Sequence, residues 1–163
     1  MKALVALALA LVALPALADP PQPFVRGSWA ALRAQHKNRP TVIHLWGLTC
    51  GPCLVELPKW GRFLHEQPGA DVVMIAADPI VEDPAQIAAM LAKAGLADVE
   101  SWSFADPFTD RLQYEIDRQW HGELPVTVLV GRDGTARTQI GAADFSEIRR
   151  WIGAQAAREA HPR

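Results

Sequence analysis

Cys50 and Cys53, separated by Gly51-Pro52, follow directly on the strand-like run Thr41–Trp46. Two thiols spaced this way at the first turn of a helix can close a disulfide and reopen it, because the helix N-terminus stabilises the thiolate that attack and release require. The first of the pair sits where free backbone N–H groups lower its pKa, and the second lies one turn further in and is more shielded. These are the only cysteines in the chain. A structural staple would join distant segments, whereas a loop this small stabilises little when closed. The pair therefore points to dithiol/disulfide exchange.

The surrounding pattern supplies the elements needed to hold that turn. Ser28 is placed to cap a first helix through about Asn38, with Trp29 and Leu32 inward. Thr41–Trp46 is apolar and rich in β-branched residues, as for a central strand covered on both faces. A helix follows the cysteine turn, and Pro58 lies within it. Asp71 to Ala77 reads as a second buried strand, so strand, helix and strand make a right-handed parallel crossover. Asp83-Pro84 and Asp106-Pro107 each offer a cap and a first-turn proline for two further helices, with Trp102 to Ala105 as a short strand between them. Val126–Val130, the turn Gly131-Arg132-Asp133-Gly134 and Thr135 to Ile140 form a hairpin, and Asp144 with Glu147 makes a capping box for a last helix. The expected architecture is an α/β three-layer sandwich, a mixed central sheet flanked by helices, with the cysteines at the carboxyl end of a central strand.

Composition narrows the class. Residues 1–18 read as a signal peptide, with Lys2, an apolar stretch from Ala3 to Leu14 and the small-residue ending Ala16-Leu17-Ala18. Cleavage after Ala18 is expected; an uncleaved membrane anchor is the alternative. Residues 19–27, which include Asp19-Pro20-Pro21-Gln22-Pro23, are expected to be an extended, disordered lead-in. The remaining chain suits one domain, residues 28–158, with a short tail at 159–163. A formal net charge of −2 offers no basic surface to nucleic acid or anionic lipid.

The segments Trp46-Gly47-Leu48-Thr49-Cys50-Gly51-Pro52-Cys53-Leu54-Val55-Glu56-Leu57-Pro58 and Gly122-Glu123-Leu124-Pro125-Val126-Thr127 resemble those of thioredoxin-fold proteins, and among them the exported TlpA/ResA-like thiol-disulfide oxidoreductases. The resemblance implies a thioredoxin-like domain over residues 28–158. It implies that Cys50 is the nucleophile and Cys53 the resolving thiol. Pro125 would be a cis-proline facing the disulfide, and the backbone of Leu124 would be free to bind a client as an added strand. Glu56, three residues after Cys53, would move the resolving cysteine's proton; a solvated helix residue is the bland alternative. Trp120 and His121 would border the client groove, or else simply lie on a surface loop. Two positions depart from the pattern. His44 stands where thioredoxins have a buried aspartate, as a proton relay or as a neutral core histidine, and Thr49 replaces the usual tryptophan before the first cysteine.

The function these readings imply is periplasmic reduction of client disulfides, with no cofactor and a monomeric protein. The resemblance implies clients such as apocytochrome c or copper-site assembly proteins, and re-reduction by a membrane thiol reductant of the DsbD/CcdA kind. The alternatives are a dithiol oxidant, a copper-delivery module binding Cu(I) through both thiolates, and a redox-inert binding domain.

Overall fold

The structure, a computed structural model, describes residues 19–80 and 82–160. The expected signal peptide and the last residues of the tail lie outside this range.

Eleven elements alternate along the chain: β1 (Gln22–Phe24), α1 (Ser28–Gln35), β2 (Thr41–Trp46), α2 (Gly51–Glu66), β3 (Asp71–Ala76), α3 (Pro84–Lys93), β4 (Glu100–Phe104), α4 (Thr109–Ile116), β5 (Val126–Val130), β6 (Ala136–Ile140) and α5 (Phe145–Ala160). The strands form one sheet in the order β1-β4-β3-β2-β5-β6. β2 runs parallel to β3 and antiparallel to β5, which pairs antiparallel with β6. All six residues of β2 are buried, because strands cover it at both edges and helices on both faces.

Alternation along the strands sorts the core into two layers. Ile43, Leu45, Val73 and Ile75 pack with Trp29 and Leu32 of α1 and Leu112 and Ile116 of α4. Val42, Trp46, Val72 and Met74 pack on the other face with Leu57, Trp60 and Phe63 of α2, Ile87 and Leu91 of α3, and Ile148 of α5. Cys53 belongs to this second layer.

Several local expectations are corrected. The lead-in is not disordered throughout: Gln22–Phe24 pairs in parallel with β4, and Phe24 is fully buried between the rings of Phe104 and Trp102. Prolines are tolerated there because β1 is an edge strand with one free side. Ser28 does not cap α1. The N-cap is Gly27, at φ 86°, and the Ser28 hydroxyl instead accepts from the N–H of Val25 at 3.0 Å. Helix α4 starts at Thr109, later than Asp106-Pro107 suggests, and the Asp106 carboxylate accepts from the N–H of Phe108. At α5 the Asp144 carboxylate accepts from the N–H groups of Ser146 and Glu147, but the Glu147 side chain pairs with Arg137 on β6 rather than closing a capping box.

Candidate active site

β2 ends at Trp46, and a four-residue turn, closed by the N–H of Cys50 donating to the carbonyl of Gly47 at 3.3 Å, delivers the chain into α2. Cys50 is the N-cap of that helix, and Pro52 lies in its first turn, where a missing N–H costs nothing. Cys50 and Cys53 are joined as a disulfide with Cα atoms 5.2 Å apart. The N–H of Cys53 donates to Cys50 Sγ at 3.2 Å, so the sulfur already takes one of the helix's free donors. Cys50 is half-buried and Cys53 is fully buried. Of the two cysteines, only Cys50 is partly open to solvent.

One turn beyond Cys53, Glu56 is 3 % exposed. Its Oε1 accepts from the N–H of Ala143 at 2.7 Å, tying α2 to the loop after β6, while its Oε2 is buried without a partner. Burial raises its pKa; the Ala143 N–H, the charge of Lys59 and the nearby Trp60 indole N–H pull partly the other way. His44, at the centre of β2, is fully buried, with Nδ1 3.2 Å from the Thr127 hydroxyl across the β2–β5 pair and its ring 4.6 Å from that of Trp60. Its Nε2 has no partner. Burial lowers its pKa to about 3, so the ring is neutral across the physiological range.

Leu45 pairs with Val126, so the segment entering β5 reaches the same edge of the sheet from which the cysteine turn leaves β2. The Leu124–Pro125 peptide is cis, and the half-buried Leu124 packs against both core layers, one of which takes in Cys50. Trp120 is not on a surface loop. It is 3 % exposed, packs beside Phe104, and its indole N–H donates to the carbonyl of Glu123 at 2.7 Å. A large ring with one polar atom satisfied is better placed inside; it props the loop that carries Leu124. His121 is exposed.

Sequence reasoning missed Asp78, two residues beyond β3 and beside the cysteine turn. It is 2 % exposed, and its carboxylate accepts from the N–H of Leu48 at 2.7 Å and from the N–H and hydroxyl of Thr49 at 3.1 and 2.6 Å. Gly47 is required beside it, since a Cβ there would stand 2.6 Å from Asp78 Oδ1. The available signal was an aspartate closing the strand next to the cysteine-bearing one. Among the described residues, no group of three or more His, Cys, Asp or Glu side chains could hold a metal ion.

No family model and no curated protein matches the chain. Solved structures do. A secreted disulfide oxidoreductase of Mycobacterium tuberculosis, homologous to Escherichia coli DsbE, aligns at TM-score 0.59 and 21% identity, over 74% of this chain and 85% of its own. A thioredoxin-family thiol:disulfide interchange protein from Chlorobium tepidum aligns at 0.58 and 18%, over 76% and 83%. StoA from Bacillus subtilis aligns at 0.52 and 22%, over 71% and 83%. The fold is thioredoxin-like.

Proposed function

We propose that this protein is an exported, periplasmic thiol-disulfide oxidoreductase that reduces disulfides in client proteins. The observation that carries this reading is the Cys50–Cys53 disulfide at the N-terminus of α2, with Cys50 half-buried and its sulfur hydrogen-bonded to a helix N–H, and Cys53 fully buried. Similarity of fold to secreted disulfide oxidoreductases supports it, as does the signal-like composition of residues 1–18. Among the described residues no helix is long and apolar enough to cross a membrane.

In the reduced protein the Cys50 thiolate attacks one sulfur of a client disulfide, and the other client sulfur leaves as a thiolate. Cys53 then passes its proton to the Glu56 carboxylate and attacks Cys50 Sγ, releasing the second client sulfur. The client gains two electrons and the protein closes its disulfide. Glu56 suits the step because it is buried, lies one turn from Cys53, and has a raised pKa and one oxygen free to take the proton. Leu124 and Pro125 border the client site, with the Leu124 backbone offered as a strand edge. Of the two readings of His44, relay or neutral core group, its depressed pKa supports the second. A membrane thiol reductant of the DsbD/CcdA kind restores the dithiol, and the clients are proteins such as apocytochrome c or copper-site assembly factors.

The test is Cys53→Ala expressed in an exporting host: clients should accumulate as mixed disulfides on Cys50 and be identifiable after capture. No adduct, together with no reduction of a small disulfide by the native dithiol, overturns the assignment. A reduction potential near about −270 mV supports reduction, and one near about −120 mV makes the protein an oxidant.

A further inference from the structure

We propose that Asp78 is a positioning residue for Cys50: its buried carboxylate fastens the turn that presents the sulfur and biases the cysteine pair toward the disulfide form. The inference rests on the exchange function proposed above. The turn Gly47-Leu48-Thr49-Cys50 is closed at its ends by the Cys50 N–H and the Gly47 carbonyl, which leaves the N–H groups of its two central residues pointing outward. Those two donors, which a short turn cannot satisfy internally, both end on Asp78, and the Thr49 hydroxyl adds a third bond. The side chain approaches so closely that position 47 has room only for glycine. Every contact comes from the segment that directly follows β3, the strand parallel to β2, so the position of Cys50 is set from the end of β3 as well as by its own strand.

This arrangement gives Thr49, where the sequence departs from the pattern it resembles, a structural role. A tryptophan there has no hydroxyl to offer Asp78 Oδ1. It also gives the helix N-terminus an opponent. The free N–H groups at the start of α2 favour a thiolate at Cys50, whereas a carboxylate fixed against the preceding residue disfavours one and has already consumed two nearby backbone donors. A less stabilised thiolate makes the dithiol the weaker partner in the equilibrium and the protein a stronger reductant.

The experiment compares the native protein with Asp78→Asn, Thr49→Val and Thr49→Ser. The readouts are the pH dependence of Cys50 alkylation, the redox equilibrium with glutathione, and the rate of reducing a small neutral disulfide, with thermal unfolding as a control for folding. In Asp78→Asn the alkylation midpoint should move to lower pH by about half a unit or more. The glutathione equilibrium should move roughly three- to ten-fold toward the dithiol. Thr49→Val should shift both readouts in the same direction by less, and Thr49→Ser should restore the native values. If Asp78→Asn fails to fold, the threonine pair decides. Folded variants whose alkylation midpoint and redox equilibrium match the native protein overturn the inference while leaving the exchange function standing. A native protein that cannot reduce the small disulfide overturns the function itself.

Discussion

At the scale of single residues the site is a set of unlike environments within one turn of helix. Cys50 has a donor and partial access to solvent, Cys53 is fully buried, and Glu56 is a carboxylate kept from water with one oxygen unmatched. The cysteine pair is singled out in the sequence by its spacing, and Glu56 by the resemblance to TlpA/ResA-like proteins. The environment of Glu56 was not, because its one hydrogen bond comes from Ala143, which is distant in the chain and brought near only by the folding of β6 and α5. Because the folded pKa of Glu56 is raised, its contribution to stability is fully present below the ordinary carboxylate range and is lost as pH rises through the raised value. Glu56→Gln removes that loss. Urea unfolding of the oxidised protein should show the variant gaining on the native protein as pH rises above the ordinary carboxylate range. Stopped-flow measurement of the Cys53 attack on a preformed mixed disulfide should show it slowed about ten-fold or more. A variant that resolves the mixed disulfide at the native rate removes Glu56 from the proton's path.

At the scale of elements, the reading succeeded where a long periodic run sat between strong punctuation and failed where neighbours supplied what the local sequence lacks. β2, β3 and β5 announce themselves by apolar, β-branched runs, and α3 by Asp83 at its N-cap, whose carboxylate accepts from the N–H of Ala85 at 2.9 Å. β1 could not be found this way. It is three residues long, contains a proline and acquires its identity from β4, the last strand but two to be made. Its value lies in Phe24, whose ring stacks on Phe104 at 5.4 Å and meets Trp102 edge-on at 6.1 Å. Phe24→Ala should therefore cost about 3–5 kcal/mol in denaturant unfolding, as for a buried aromatic in a packed core. A change below about 0.5 kcal/mol, the surface value, would mean that the lead-in does not dock in solution.

At the scale of the whole molecule, the mixed sheet with its cysteines at the carboxyl end of a central strand was readable from element order. The inside of that sheet was not. Whether His44 is a relay or a packed neutral ring depends on Thr127 from β5 and Trp60 from α2, which close round it only in the assembled fold. That burial has a global consequence. A histidine whose pKa is about 3 when folded and ordinary when unfolded binds its proton only on unfolding, so its contribution to stability is present above pH 6.5 and is lost as pH falls toward 3. The slope from this one group is about 1.4 kcal/mol per pH unit. Comparison with a variant that lacks the ring isolates it between about pH 4.5 and 6.5, because what the other groups contribute there is common to both proteins. The carboxylates with lowered pKa values, Asp117 and Asp133 among them, act only below their ordinary range, and Glu56 acts with the opposite sign. His44→Asn keeps a polar atom for Thr127 but cannot titrate. The difference in unfolding free energy between native and variant proteins should shrink steadily as pH falls through that window, and two parallel profiles would show that the ring at the centre of the sheet is open to protons.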